Sequence, residues 1–266
     1  MEIKSLLNRI DDMRSEIEKR RPLTDAEVEQ LRAFYRVDLT YTSNAIEGNS
    51  LTLTETKVLL EDGLTVSGKP IKDCYEAEGH AEAFDYMLAL AKETDLTITE
   101  DSICTLHRLF YKRLDEKQAG VYRPGQVIIT GTEYVPPAAG EVPALMGRFV
   151  KRLVGGGAAM HPVLLAAYAH RKLVDIHPFS DGNGRTARLL MNLILINKGY
   201  QIVSIPPILR PDYINALKIA QRADSPSTEP FNELIANCEI EAQKDFCRMF
   251  HIEMKPAREY KRTDRQ

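Results

Sequence analysis

One short stretch of the 266-residue chain concentrates side chains that suit an anionic ligand, namely residues 177–188, HPFSDGNGRTAR. Gly182 and Gly184 permit backbone conformations that are closed to other residues, so consecutive N–H groups in this turn can converge on one anion. The turn leads into a predicted helix, whose N-terminus adds unpaired N–H donors and the positive end of a dipole. The stretch therefore predicts a phosphate-binding loop.

The charged side chains of the same stretch suit a phosphate group and a metal ion. Arg185 and Arg188 are three residues apart, so they share a helix face and offer two guanidinium forks to phosphate oxygens. Asp181 is a carboxylate of the kind that Mg²⁺ takes together with phosphate oxygens and waters. His177 stands at the mouth of the loop, where a neutral imidazole can take a proton from an incoming hydroxyl. Each residue alone is typical of a surface turn, but the combination favours an active site.

The elements that must position this loop are predicted to be helices. Apolar residues recur at helical spacing on both sides of it, over about 161–176 and 185–197. The same periodicity predicts further helices over about 3–17, 24–46, 52–63, 73–92, 99–114, 142–153, 212–222 and 229–250. The strand signals at 127–129 and 134–135, bracketed by Gly and Pro, predict one β-hairpin. The predicted fold class is all-α with a single β-hairpin.

Several residues near the loop are predicted to pack rather than react. Phe179 is apolar in a polar loop, so we expect it to plug into the core. His107 and His170 lie on apolar helices and are interpreted as core or groove histidines rather than ligands. Arg123 opens the predicted hairpin and is expected to anchor it.

Composition narrows the class of protein. Apolar residues make up 44% and charged residues 27% of the chain, which is typical of a soluble globular protein, and the net charge of -3 gives no sign of a nucleic-acid surface. No apolar stretch is long enough for a bilayer span, and the N-terminus lacks a signal-peptide core. We therefore expect a cytoplasmic protein that binds neither nucleic acid nor a membrane.

Residues 177–188 resemble the signature of the Fic family, His-Pro-Phe-x-(Asp/Glu)-Gly-Asn-Gly-Arg-x-x-Arg, at every specified position. The similarity covers roughly 97–242. It implies a Fic-type helical core in which Arg123 to Pro137 forms a β-hairpin flap that positions the target. It also implies an N-terminal helical region at 1–96 with an inhibitory motif, a Fic catalytic domain at 97–250 and a C-terminal tail at 251–266. The edge of the flap could hold a target segment by strand addition at Val127, Ile128, Ile129 and Thr130.

The resemblance also implies a role for each matching residue. His177 would be the general base that acts on a Ser, Thr or Tyr hydroxyl of a protein, and Asp181 would bind Mg²⁺. The implied reaction transfers AMP from ATP and releases pyrophosphate. Gly184 favours this over phosphate transfer, since the Doc relatives that act as kinases usually have lysine there. The expected nucleotide-binding residues are Asp181, Gly182, Asn183, Gly184, Arg185, Arg188, Tyr213 and Gln221, the last at a position where the family has Asn.

A second motif, TSNAIEGN at residues 42–49, resembles the inhibitory motif of the family, (Ser/Thr)-x-x-x-Glu-(Gly/Asn). Ser43 and Glu47 are four residues apart and share a helix face. In such proteins the glutamate pairs with the second arginine of the signature, here Arg188, and competes with the γ-phosphate for it. We expect Glu47 to inhibit the enzyme from within the chain, and the alternative is a simple helix-end acid before a glycine cap.

Three functions stay open from the sequence. The first is an autoinhibited protein adenylyltransferase that uses Mg²⁺ and ATP and modifies a protein substrate, including itself. The second keeps the site but transfers UMP or phosphocholine, or removes AMP with Glu47 orienting water. The third is a non-enzymatic binding module, against which the intact signature argues. The resemblance also leaves a homodimer open, since family members often dimerise.

Overall fold

The computed structural model describes residues 2–65, 67–156 and 159–253 and confirms the predicted all-α class over them. The predicted tail therefore lies outside the described residues from 254 onward. The α-helices of the described part are α1 (Ile3–Glu18), α2 (Asp25–Ile46), α3 (Leu53–Lys57), α4 (Ile71–Ala91), α5 (Glu100–Tyr111), α6 (Val142–Gly156), α7 (Pro162–Ile176), α8 (Asn183–Asn197), α9 (Arg210–Ala220) and α10 (Glu229–Met249). In these ranges no helix has the length and apolar character that crossing a bilayer requires.

Helix α8 forms the centre of the core. It is apolar on almost every side, and every residue from Arg185 to Leu195 is buried. A helix that is apolar all round must be covered all round. Helix α7 packs along it, α4 and α5 lie against it, and α10 covers α7. The loop between α7 and α8 is therefore held by two helices that cannot move apart without exposing the core.

Helix α2 has defined signals at both ends. It begins at a capping box in which the Thr24 hydroxyl accepts from the Glu27 N–H and the Glu27 carboxylate accepts from the Thr24 N–H. It ends one residue before Glu47, and Gly48 then takes a left-handed conformation with φ 95°. Arg210, at the start of α9, donates from Nε to the Ile46 carbonyl at 2.6 Å. The end of α2 is thus fixed from outside the helix as well as from within.

The predicted β-hairpin is wrong. Residues 126–129 and 132–138 form neither strand nor helix. Side chains join the two arms instead: Arg123 donates to the carbonyls of Gly125 and Pro137, and Gln126 Nε2 donates to the Pro136 carbonyl at 2.9 Å. Two consecutive prolines remove N–H donors from the second arm, and an isolated pair of strands is marginal in any case. We call residues 123–137 the flap.

One buried carboxyl group in the core gives the fold a pH dependence. Glu239 on α10 is fully buried, and one of its oxygens accepts from the Gln201 N–H at 3.1 Å. Burial raises the pKa of this carboxyl group to about 8, so the folded chain holds it protonated at neutral pH. An unfolded chain would release that proton above about pH 4.3. Since the folded state binds more protons than the unfolded state between these values, stability falls as the pH rises through that window.

We expect Glu239→Gln to remove this pH dependence. The amide oxygen of glutamine can still accept from Gln201, but it has no charge to bury. The free energy of unfolding of the variant, relative to that of the unchanged chain, should increase by about 1 kcal/mol for each pH unit between roughly pH 5 and 8. Urea unfolding across that range measures it, with the exposed Glu241→Gln as the control. Parallel curves for Glu239→Gln and the unchanged chain would contradict the prediction.

Candidate functional site

The loop between α7 and α8 has a backbone that few residues can adopt. His177 ends α7 in the left-handed region, with φ 50°, where a residue other than glycine is uncommon. Gly182 caps the N-terminus of α8 with φ 77°, and a Cβ there would lie 2.8 Å from Cε1 of Phe110. The sequence needs glycine at this position both for the conformation and for the close packing. The two turns direct the loop so that α8 begins with its N–H groups at the site.

Phe179 and Asn183 lock the middle of the loop. The Phe179 ring is fully buried, which confirms the predicted plug into the core. The Asn183 side chain bonds both backbone groups of Phe179: its Oδ1 accepts from the N–H at 2.9 Å and its Nδ2 donates to the carbonyl at 2.8 Å. The Asn183 side chain is therefore bonded within the loop, and only its backbone N–H is available for the predicted phosphate-binding turn.

His177 has the geometry of a base with one free nitrogen. Its Nδ1 lies 3.3 Å from the Val174 carbonyl, an acceptor only, which assigns the proton to Nδ1 and leaves the lone pair on Nε2. Arg123 donates from Nε to the His177 carbonyl at 2.8 Å and so fixes the residue from the flap side. Burial lowers the pKa of the imidazole below its usual value, although the bond to Val174 opposes this. The ring is therefore neutral at pH 7 and can accept a proton.

The Arg188 side chain on α8 contacts the end of α2 through Ser43 and Glu47. The Arg188 side chain is buried, and Ser43 accepts from it twice, the hydroxyl from Nε and the carbonyl from Nη2, each at 2.9 Å. Glu47 Oε1 lies 2.7 Å from Nη2. The structure thus brings together the three residues that the two motifs single out, across 145 and 141 residues of sequence.

The Glu47 carboxylate lies where an anionic ligand of α8 would lie. A Cβ on Gly184 would come within 2.4 Å of Glu47 Oε1, so the carboxylate rests on the first turn of the helix. Burial would raise the pKa of Glu47, but the Arg188 and Arg185 guanidiniums outweigh it, and the pKa falls below its ordinary value. Glu47 is therefore ionised at neutral pH and neutralises the positive end of α8 and its arginine.

Arg185 is buried between two carboxylates, with its Nη2 3.7 Å from Asp181 Oδ1. Its Nη1 lies 3.0 Å from a Glu76 carboxylate oxygen and 3.4 Å from Asn44 Oδ1, and its guanidinium lies over the Phe110 ring at 4.2 Å. Both partners of the ion pair with Glu76 are almost fully buried. Arg185 therefore needs to change its partners before it can contact the outer phosphates of a ligand, as the sequence predicts it does.

Asp181 fits a metal ion that is shared with a ligand. Its Oδ1 accepts from the Gly182 N–H at 2.6 Å, and about half of its side chain is exposed toward the solvent side of the loop. The part of the chain that the structure describes has no group of three or more His, Cys, Asp or Glu side chains arranged around a metal. A Mg²⁺ ion would thus take one protein oxygen here and fill its other positions with phosphate oxygens and waters, which suits that ion.

Tyr213 lies on α9, and Gln221 follows the last residue of that helix. The Tyr213 hydroxyl accepts from Arg188 Nη1 at 3.2 Å and lies 3.1 Å from His170 Nε2, with the side chain buried. Gln221 donates from Nε2 to Asp175 Oδ1 at 3.0 Å, two residues before His177. Both residues therefore border the loop, and their contact with an adenine stays a prediction.

The flap lies beside His177 and keeps apolar groups in solvent. The Tyr134 hydroxyl donates to the Asp175 carbonyl at 2.8 Å, so the second arm is fixed to the last turn of α7. Among the residues predicted to hold a target, Ile128 is 94% exposed and Val127 and Ile129 are partly buried. Thr130 forms part of the turn at the tip.

Sequence reasoning missed two residues of the site. Glu76 and Asn44 hold Arg185, and Glu76 also accepts from Asn49 at 2.9 Å. Asn44 and Asn49 lie inside the motif at 42–49, so their proximity to Glu47 in the sequence could have indicated that they belong to the site. Glu76 stands in an ordinary helix with no local pattern, and its partner is more than a hundred residues away.

Comparison with known families gives a match that contains the loop between α7 and α8. Residues 97–195 match the model of the Fic/DOC family. Two curated relatives, both named protein adenylyltransferase Fic, come from Drosophila persimilis and Drosophila melanogaster. Each is 42% identical over 200 residues, which cover 74% of this chain but only 38% and 39% of those proteins. The chain thus spans well under half the length of these relatives.

Solved structures extend the similarity to nearly the whole chain. A Fic protein fragment from C. elegans is 30% identical, with a TM-score of 0.83 over 94% of this chain and 74% of that one. A Fic domain containing signaling protein from Bacteroides thetaiotaomicron is 28% identical, with a TM-score of 0.82 over 92% of this chain and 99% of that one. The similarity therefore includes the N-terminal helices as well as the loop.

The occupied anion site makes a prediction about a simple ligand. Glu47→Gly removes the carboxylate that neutralises α8, so inorganic pyrophosphate should bind to the variant at least about 10-fold more tightly than to the unchanged chain. Isothermal titration calorimetry measures the affinity. Adding Arg188→Ala to the Glu47→Gly variant should abolish the gain, with circular dichroism to confirm the fold. Equal affinity of the unchanged and Glu47→Gly chains for pyrophosphate would refute the assignment.

Proposed function

The chain belongs to the Fic family, and from that premise we propose that it is a protein adenylyltransferase that moves AMP from ATP to a Ser, Thr or Tyr hydroxyl of a protein. The names of the curated relatives support this proposal, although they are much longer than this chain. The observation that carries it is the Glu47 carboxylate on the first turn of α8, paired with Arg188. An acid held at a phosphate site, beside a neutral histidine, is what a restrained nucleotidyl transferase requires.

The proposed chemistry uses His177 as the general base. The acceptor hydroxyl gives its proton to His177 Nε2 while its oxygen forms a bond to the α-phosphorus of ATP. The bond between the α-phosphorus and the bridging oxygen to the β-phosphate breaks, and pyrophosphate leaves. The Nδ1 contact with Val174 keeps the lone pair on Nε2, and Arg123 keeps the residue in place. The protein supplies position and charge rather than covalent chemistry.

The phosphates would be bound by the α8 N-terminus and by charged groups around it. The backbone of Gly182, Asn183 and Gly184 offers N–H donors, and Arg188 offers a guanidinium once Glu47 leaves it. Asp181 would hold a Mg²⁺ ion, which would neutralise part of the phosphate charge when bound. Arg185 would follow by exchanging Glu76 for a phosphate oxygen. Tyr213 and Gln221 would border the nucleoside from α9.

We propose that Glu47 restrains the reaction by holding Arg188. A γ-phosphate needs the same guanidinium, so ATP that enters beside Glu47 must take a pose in which the α-phosphorus is not in line with the acceptor. Ser43 stays on Arg188 in either state, because its hydroxyl accepts from Nε, whereas Glu47 contacts Nη2. The restraint is intramolecular, since α2 lies in the same chain.

The partner is proposed to be a protein segment that lies along the flap. Val127, Ile128 and Ile129 lie in the first arm of the flap and Thr130 in the turn at its tip, and the exposed Ile128 could contact an apolar residue of the target. We also propose a cytoplasmic location, a homodimer and a division of the chain at residues 96/97 and 250/251.

Two substitutions test the enzyme and its restraint together. Glu47→Gly should raise the incorporation of labelled AMP from ATP into the chain itself by at least about 10-fold, because Arg188 becomes free for the γ-phosphate. His177→Ala in that background should lower the rate by about 10²–10⁴-fold, since the general base is lost. Intact mass identifies the added group and separates AMP from UMP or phosphocholine. Equal incorporation with and without Glu47 would contradict its inhibitory role. An active His177→Ala protein would contradict the role of His177 as the general base.

The pH dependence follows from the His177 environment. The neutral imidazole is the active form, and burial holds its pKa below the usual value of 6.5. The kcat/KM of Glu47→Gly protein should therefore be flat above about pH 7 and fall as the pH drops through a pKa below 6.5. Initial rates between about pH 5 and 8, with saturating Mg²⁺, test this. A rate that rises as the pH falls would contradict a neutral base.

A further inference from the structure

His107 has an environment that packing alone does not explain. It lies on α5 and is 1% exposed, with its ring between those of Phe179 and Tyr111. The Phe179 ring is parallel to it within 2°, at 3.8 Å between centroids. Sequence reasoning interpreted His107 as a core histidine, and its burial agrees with that. A phenylalanine could fill the same space, so the two ring nitrogens need a separate explanation.

Both nitrogens of His107 bond backbone groups, and each bond fixes the other. The Gly120 N–H, which can only donate, points at Nδ1 at 2.9 Å. Nε2 therefore carries the proton and donates to the Asp181 carbonyl, which can only accept, at 3.0 Å. A single neutral tautomer satisfies both contacts. An apolar side chain in the place of His107 could bond neither the Gly120 N–H nor the Asp181 carbonyl.

The two backbone groups belong to the two segments that frame the site. Asp181 is the residue whose carboxylate points to the open side of the loop, next to Gly182, the N-cap of α8. Gly120 takes φ 74° three residues before Arg123, the residue that fixes the His177 carbonyl. The ring of His107 thus fastens the base of the flap to the Asp181 end of the loop, while Arg123 fastens the flap to the His177 end.

We propose that His107 is a positioning residue that sets the place of the Asp181 carboxylate, and hence of the metal ion and phosphates it would hold. The proposal rests on the function proposed above for Asp181, and it adds a residue outside the Fic signature to the machinery. His107 touches neither substrate nor metal. It acts through the Asp181 carbonyl, in the way that partners of metal ligands orient those ligands.

Three substitutions separate the stacking of His107 from its two hydrogen bonds. His107→Phe keeps an aromatic ring on Phe179 and removes both bonds. His107→Gln places an amide N–H near Nε2 and so can still donate to Asp181, whereas His107→Asn places an amide oxygen near Nδ1 and can only serve Gly120. Tyr111→Phe is the matched control, because it keeps the ring on the other face of His107 and leaves both bonds intact.

The first readout needs neither nucleotide nor activity. Hydrogen exchange of the loop amides at 178–184, followed by mass spectrometry on the full chain, should be at least about 10-fold faster in His107→Phe and His107→Asn. His107→Gln and Tyr111→Phe should stay near the unchanged chain, and α8 should stay protected in all of them. Unchanged loop exchange in His107→Phe would overturn the proposal, as would a uniform loss of protection that reports only on global stability.

The second readout is the Mg²⁺ dependence of AMP transfer in the Glu47→Gly background. His107→Phe should raise the Mg²⁺ concentration for half-maximal rate by about 10–100-fold, and His107→Gln should recover most of this loss. A lower rate with unchanged Mg²⁺ dependence in every variant would contradict the positioning role. If Glu47→Gly protein itself transfers no AMP, the proposed function fails, while the exchange measurement still decides the role of His107.

Discussion

The contact between Arg188 and the end of α2 is the interaction on which the rest of the site depends. A buried guanidinium without partners would cost several kcal/mol, and Ser43 and Glu47 supply the acceptors that satisfy it. Glu47 at the same time covers the first turn of α8. If an anion binds Arg188 as proposed, it must displace the Glu47 carboxylate, so binding of the anion depends on where the end of α2 lies.

The fold holds α8 and the loop before it in place around Arg188 and Glu47. Helix α8 is buried on all sides, and the loop before it is held at Phe179, at the carbonyl of His177 and at that of Asp181. A loop fixed at three points cannot adjust to a carboxylate and a phosphate together. The side chain of Glu47, by contrast, is 35% exposed and follows the last turn of α2. In the mechanism proposed above, the side chain of Glu47 is therefore the group that moves when an anion binds, while the loop at 177–182 stays in place.

Local signals predicted most of the fold and the site, and the errors lie where distant residues decide. Helical periodicity predicted the helices, and the resemblance of the two motifs to those of the Fic family predicted the pair of Glu47 with Arg188. The β-hairpin prediction failed because consecutive Val and Ile residues between turns indicate a strand, while Arg123 and two prolines determine how the arms join. Glu76 and the bridging role of His107 could not be read locally, since their partners are far away in sequence.

The central claim is that Glu47 and the γ-phosphate of ATP compete for Arg188. Crystal structures of the unchanged chain and of Glu47→Gly, each with Mg²⁺ and a non-hydrolysable ATP analogue, test it most directly. We expect the γ-phosphate to contact Arg188 only in the Glu47→Gly structure. The α-phosphorus should face His177 Nε2 only in that structure. A structure of the unchanged chain in which Glu47 still pairs with Arg188 while the analogue sits in the same productive pose would contradict it.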